Sequence, residues 1–249
     1  MFRIQQYDIK NKKITVPITI AQISDLHEKS FGENNALLFE AVAAMSPDLI
    51  AITGDMIYDT YTSQPNDAYI ENVAKWAPGI APSFFVTGNH ERIWPEYVTD
   101  IFSRNGVHVL SGDVISFQKK ECVIDIGGID DPTVDPEAPY SLRFPQDNRF
   151  HLLLAHDPAP FKGGYDQSGA DLVLCGHTHG GQIRFPGGRA LIAPGSHRPF
   201  PKYSDGLYHS GDTAMIISMG LGVSVIPFRL FAPREVLLIR LLPKEDALQ

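Results

Sequence analysis

The chain has 249 residues, 43% of them apolar and 10% aromatic, and a formal net charge of −8. That length can bury a sizeable core as one α/β domain over residues 1–249, and the acidic balance argues against an extended nucleic-acid footprint, which requires a basic stripe. Cys122 and Cys175 are the two cysteines and read as reduced, buried thiols. Met1 to Asp8 has no signal-peptide core and no run approaches a membrane span. The chain as written therefore reads as cytoplasmic, with a cell-envelope location open if an export segment has been trimmed.

In chain order, Val16 to Ser24 reads as a buried strand running into Asp25-Leu26-His27. The spacing of Leu38, Ala41, Val42 and Met45 predicts an amphipathic helix that Pro47 stops. Asp48 to Thr53 is the next strand and ends at Gly54-Asp55; Ile70, Val73, Ala74 and Ala77 mark a second helix. Phe84-Phe85-Val86 delivers Gly88-Asn89-His90-Glu91, and a helix beginning near Pro95 packs through Val98, Ile101 and Phe102 until Gly106. The rhythm to that point is βαβαβ. Beyond it, Val107 to Leu110, Val114 to Gln118 and Cys122 to Ile126 are short strands at close spacing, with Lys119-Lys120 as a hairpin turn, and they predict a second sheet with antiparallel pairing.

The Asp130 to Asn148 stretch has no period and reads as a surface loop or lid. Phe150 to Ala155 is a strand delivering His156, and Asp171 to Leu174 another, delivering Gly176-His177-Thr178-His179-Gly180-Gly181. Two further strands, Thr213 to Met219 and Glu235 to Leu242, flank Gly220-Leu221-Gly222 and the Pro227 to Pro233 loop. No repeat or low-complexity segment interrupts the chain.

Asp25, His27, Asp55, Asn89, His90, His156, His177 and His179 all lie at or just past the end of a predicted strand. Ligands of open α/β sheets bind in the crevice beyond the carboxyl ends of the strands, so polar groups from five segments converge there. Singly, each has an ordinary reading: Asp25 or Asp55 as a helix cap, Asn89 in a left-handed turn, His156 as a hydrogen-bonded core histidine. Their joint occurrence favours a site, and two imidazoles one residue apart between glycines suit a metal.

The ordered motifs Asp25-Leu26-His27, Gly54-Asp55, Gly88-Asn89-His90-Glu91, His156 and Gly176-His177-Thr178-His179 resemble the calcineurin-like metallophosphoesterase family. The resemblance implies a four-layer α/β/β/α sandwich around a two-metal site. It implies that Asp25, His27 and His179 hold one ion, that Asn89, His156 and His177 hold the other, and that Asp55 bridges them. It implies for His90 no metal bond but a place near the phosphate as acid or electrostatic stabiliser. Two cations roughly 3.5–4 Å apart clamp a phosphate and activate a bridging hydroxide for in-line attack, and the oxygen and imidazole donors without thiolate suit Mn, Fe, Zn or Co. Two divalent ions would also offset half of the chain's net charge.

Gly54-Asp55-Met56-Ile57-Tyr58 superficially fits the iron-binding tyrosine pattern of purple acid phosphatases, but that branch lacks the histidine that His27 supplies. Tyr58 is therefore expected to be a wall residue, with no iron-tyrosinate colour. Gly176 to Gln182, Gly220 to Ser224 and Pro227-Phe228-Arg229 look more like the bacterial branch of small phosphoesterases, which includes cell-envelope enzymes and a UDP-2,3-diacylglucosamine pyrophosphatase.

The leading expectation is a metal-dependent phosphohydrolase, a phosphodiesterase or pyrophosphatase acting on a small or lipid-linked substrate, with peripheral membrane contact open. Arg92, His197, Arg198, Tyr203 and Arg229 are candidate substrate-lining residues, and Phe200, Phe228, Leu230 and Phe231 either form an apolar patch beside the site or anchor loops in the core. A phosphomonoesterase or phosphoprotein phosphatase, and a non-catalytic scaffold of the same fold, are the alternatives.

Overall fold

The structure, a computed structural model, describes residues 1–58, 65–186, 188–193, 199–224 and 227–244. Strand β1 (Arg3–Asn11) is followed by β2 (Ile18–Ile23), helix α1 (Ala36–Ala44), β3 (Leu49–Thr53), α2 (Asp67–Trp76), β4 (Ser83–Val86), α3 (Pro95–Arg104) and β5 (His108–Val109). The second half runs β6 (Val114–Lys119), β7 (Cys122–Gly128), the short α4 (Ala138–Ser141), β8 (Phe150–Leu154) and β9 (Leu172–Cys175). It ends with β10 (Ile183–Arg184), β11 (Ala190–Ile192), β12 (Gly206–Ser210), β13 (Thr213–Ile217) and β14 (Glu235–Pro243).

Two six-stranded sheets result, ordered β1-β14-β2-β3-β4-β5 and β12-β13-β9-β8-β7-β6, with β10 and β11 as a separate ribbon. The β2, β3 and β4 neighbours are parallel, as are β7, β8, β9 and β13, whereas β6 pairs antiparallel with β7. Parallel strands present their carboxyl ends along one edge, which brings the loops after β2, β3, β4, β8 and β9 together.

Strand alternation explains the layering. Ile20, Leu49, Ala51 and Phe84 of the first sheet face Ile124, Leu152, Leu172 and Ile216 of the second, forming a core between the sheets. The opposite face of the first sheet, through Ile23, Ile50, Ile52 and Phe85, packs on Leu38 and Val42 of α1, Ile70 and Val73 of α2, and Ile101 and Phe102 of α3. Asn66 caps α2 by accepting from Tyr69 N at 3.2 Å, and Gly106, at φ +89°, ends the turn after α3. On the far face of the second sheet the fourth layer is thin: Ala138 of α4, Leu142, Phe144, Phe161 and Tyr165 cover Leu153, Val173 and Met215.

Three segments differ from expectation. Val107 to Leu110, expected in the second sheet, instead supplies β5, which pairs parallel with β4 at the edge of the first sheet, and the second sheet is antiparallel only where β6 meets β7 and β12 meets β13. Residues 130–148 are not a free lid, because Ala138, Leu142 and Phe144 supply that fourth layer, apolar side chains that the Pro- and Asp-rich context obscures. The N-terminus forms β1, an edge strand parallel to β14 with Arg3 paired to Glu235 at 2.8 Å and Asp8 to Arg240 at 2.5 Å. A half-exposed polar strand whose partner lies at the other end of the chain carries little local signal.

Candidate metal centre

The site begins where the strands stop. Beyond β2 and β3 the two chains remain zipped, with Asp25 N donating to Gly54 O at 3.0 Å, His27 N to Asp55 O at 3.0 Å and Glu28 N to Met56 O at 3.1 Å. The side chains are redirected by left-handed backbone at five positions that are not glycine: Asp25 (φ 52°), His27 (46°), Asp55 (56°), His177 (70°) and His179 (50°). Each such residue costs on the order of 1 kcal/mol or more. The strain persists because neighbouring hydrogen bonds fix it, and it is concentrated where the side chains converge.

Glu91 is the fastener. Fully buried, its carboxylate accepts from Asp55 N (2.9 Å), Met56 N (2.8 Å), Ile57 N (3.3 Å) and Gly88 N (2.6 Å), tying the loop after β3 to the loop after β4. Burial and the Asp55 carboxylate push its pKa up to about 7, against the pull of the backbone donors. Two glycines permit the close approach: a Cβ on Gly88 would overlap Asp55 Oδ1, and one on Gly176 would overlap Ser24 Oγ. Behind the loops, Leu221 N donates to Ser24 O at 3.2 Å and Gly222 N to Asp25 O at 2.5 Å.

The donor atoms form two groups sharing Asp55, one of Asp25, His27, Asp55 and His179, the other of Asp55, His156 and His177. In the first, His27 Nε2 lies 3.0 Å from His179 Nε2 and 3.6 Å from Asp55 Oδ2, and His179 Nε2 lies 3.5 Å from Asp25 Oδ1. In the second, His156 Nε2 is 3.2 Å from Asp55 Oδ2 and 3.3 Å from His177 Nδ1, which is 2.7 Å from Asn89 Oδ1. Donors about 2.1 Å from one ion stand roughly 3.0–3.4 Å apart, so these separations fit an ion in each group. Asp25 Oδ2, buried and without a hydrogen-bond partner among the described residues, fits the same reading.

Partners outside the groups orient the rings. His156 Nδ1 donates to Thr53 O at 2.7 Å, which turns Nε2 toward Asp55. Arg229 Nη2 stands 2.9 Å from His179 Nδ1, its other donors reaching Gly222 O (2.8 Å), Met219 O (2.7 Å) and Pro233 O (3.3 Å). Burial lowers Arg229 to about 10, against the pull of the Asp25 and Glu235 carboxylates. Burial lowers His27 to about 3 and depresses His179. Burial also opposes charge on Asp55 and His156, yet their mutual attraction prevails and holds the aspartate well below, the histidine well above, its ordinary value.

His90 N donates to Asp55 Oδ1 at 2.8 Å, while its ring stays outside both groups, Nε2 being 3.9 Å from Asp55 Oδ2 and 3.5 Å from Ser224 Oγ. The Tyr58 ring stands 6.0 Å from that of His27 and 5.7 Å from that of His90, forming a wall. Arg92 Nη1 donates to Asn89 O at 2.9 Å, and Tyr203 lines a hollow together with His177. His197 and Arg198 lie outside the described residues. Phe200, Phe228, Leu230 and Phe231 are 43–58% exposed, not core anchors.

Sequence reading placed Glu91 within a motif without giving it a role, and did not connect Gly220 to Gly222 with Asp25. The signal for Glu91 was a carboxylate directly after Asn89-His90, where a turn exposes several N–H groups; the Gly220 to Gly222 contact had no local signal.

A family model described as calcineurin-like phosphoesterase matches residues 18–181. An uncharacterized metallophosphoesterase of Bacillus subtilis, YkuE, is 30% identical over 87% of this chain and 76% of its own length. Phosphodiesterase YaeI of Escherichia coli is 28% identical over 92% of this chain and 84% of its own. Among solved structures, Haemophilus influenzae NAD nucleotidase aligns with a TM-score of 0.51 at 14% identity, covering 82% of this chain, which spans only 45% of that protein.

Proposed function

The chain belongs to the calcineurin-like phosphoesterase family of metal-dependent hydrolases, and from that premise we propose that it acts as one domain cleaving phosphodiester or pyrophosphate bonds of a small or lipid-linked substrate. The observation that carries the reading is the pair of donor groups joined through Asp55. Asp25, His27 and His179 would hold one divalent ion, Asn89, His156 and His177 the other, with Asp55 common to both. Mn, Fe, Zn and Co all suit this donor set. When bound, such ions would neutralise phosphate charge and make water easier to ionise near neutral pH.

The chain's own residues supply the remainder. His90 faces the Asp55 edge from outside both groups, a position from which an imidazole hands a proton to the leaving oxygen or steadies charge on the phosphoryl group. Ser224 beside its Nε2 holds the ring's aim. Tyr58 walls the site and Tyr203 lines the approach. Arg229 acts by positioning His179, because its donors are taken by that ring and by three carbonyls.

A lipid-linked substrate is supported by the exposed Phe200, Phe228, Leu230 and Phe231. The likeness to a phosphodiesterase favours diesters over monoesters. Metal analysis of the purified protein, followed by turnover of bis(p-nitrophenyl) phosphate, p-nitrophenyl phosphate and lipid or nucleotide-sugar pyrophosphates with added Mn, tests the reading. The diester should exceed the monoester; the reverse establishes a phosphomonoesterase, and an inert panel with metal bound establishes a scaffold.

A further inference from the structure

His177 belongs to the second donor group and also forms part of the wall of a separate hollow of about 510 Å³, within the ~300–1,000 Å³ range of small-molecule sites. Pro158, Ala159, Pro201 and Tyr203 line it together with Lys162 and Lys202. The walls are preformed. Tyr203 is wedged edge-on against Phe161 at 6.0 Å and Tyr208 at 5.1 Å, and two prolines stiffen the flanking turns. Lys202 Nζ lies 4.6 Å from the centre of the Tyr203 ring, which holds its charge against the hollow. Asp157, the one acidic side chain among the described lining residues, accepts through Oδ1 from Ala159 N at 2.8 Å.

Two lysines against one aspartate among the described lining residues, on a chain of net charge −8, give the hollow a local excess of positive charge beside its apolar and aromatic lining. A phosphate held at His177 would direct one ester substituent into this space. Nothing in hydrolysis of that phosphate requires the lysines, which leaves them to act on the substituent.

We propose that the hollow seats the organic group of the substrate and that Lys162 and Lys202 bind a second anionic group carried on it, so that the substrate is a phosphoester bearing a further phosphate. The proposal rests on the hydrolase reading above and narrows it. It assigns the hollow to specificity, with Tyr203 packing the organic group and the lysines recognising charge.

The test compares two chromogenic diesters that differ only in a second phosphate: thymidine 5′-(p-nitrophenyl phosphate) and its 3′-phosphorylated counterpart, with Mn-loaded protein. The 3′-phosphorylated ester should show about tenfold higher kcat/KM, expressed in KM, as expected for one to two charge-assisted hydrogen bonds. In Lys162→Ala/Lys202→Ala that ratio should collapse toward one, while Lys162→Arg/Lys202→Arg should retain it. Equilibrium dialysis of thymidine 3′,5′-bisphosphate against thymidine 5′-monophosphate reads the same preference without turnover. Inertness toward both esters overturns the hydrolase reading, with the dialysis ratio still deciding the subsite. Equal handling of the two by wild type, or a preference unchanged in the alanine variant, overturns the subsite.

Discussion

On the proposed reading, a single imidazole separates chemistry from metal holding. His90 stands outside both donor groups although its backbone is bonded to Asp55, so His90→Ala should lower turnover about 10²–10⁴-fold and leave metal content near wild type. Asp55→Ala should lose both, because the atom common to the two groups is gone; kinetics paired with elemental analysis distinguishes the two cases. Glu91 tests the scaffold beneath. Glu91→Ala strands four buried N–H groups, and each unsatisfied group costs roughly 1–3 kcal/mol. Its melting temperature should fall steeply, and Glu91→Gln, which keeps one acceptor oxygen, should recover part of the loss.

Among the elements, the loops after β2, β3 and β9 are held in strained backbone by contacts with neighbouring loops rather than by their own sequences. Gly176→Ala should therefore act as a loop-packing lesion: the new methyl meets Ser24 Oγ, and the variant should melt lower and retain less metal than wild type, although no donor has been removed. The β10 and β11 ribbon and the 227–233 loop raise a different question. Phe185 and Phe200 stack with centroids 6.3 Å apart, Arg189 sits 4.2 Å over the Phe200 ring, and the exposed Phe228, Leu230 and Phe231 lie on a loop that pairs with the ribbon through Arg184 N to Leu230 O at 3.0 Å. If this apolar surface receives a lipid-linked substrate, Phe228→Ser/Phe231→Ser should cut co-sedimentation with anionic vesicles several-fold and leave hydrolysis of bis(p-nitrophenyl) phosphate intact. Unchanged sedimentation would remove the support for lipid linkage.

At the scale of the whole molecule, stability, pH and metal are linked through the same residues. His27 is neutral in the folded, metal-free protein down to a pKa of about 3, because burial disfavours its charge. The unfolded chain takes up that proton near 6.5. The contribution of His27 to stability is thus complete above pH 6.5 and is lost as pH falls toward 3. His179 is shifted in the same direction, and His156, raised by Asp55, in the opposite one. Glu91, raised to about 7, also acts in the opposite direction, so the difference is what reads His27: the melting temperature of metal-free wild type relative to His27→Gln should fall as pH falls from 8 to 5. Chelation at pH 7.5 should lower the melting temperature, and restored Mn should raise it in proportion to the logarithm of its concentration over Kd. An unchanged melt on chelation would argue against ions at these groups.

Local patterning determined much of this protein. Leu38 and Val42, then Ile70, Val73 and Ala74, then Val98, Ile101 and Phe102 marked the buried faces of three helices, since burial imposes the helical period on the chain. The strand ends marked the donors, because parallel strands deliver their following loops to one edge. What the chain could not declare locally was decided by contacts distant in sequence. Those contacts are β1 on β14, Glu91 clamped on the backbone of Asp55 to Ile57, Gly222 under Asp25, and Lys162 and Lys202 beside one hollow. Hydrogen bonding and packing of that kind depend on where two remote segments meet in space, and neither segment bears a period or composition that records its partner.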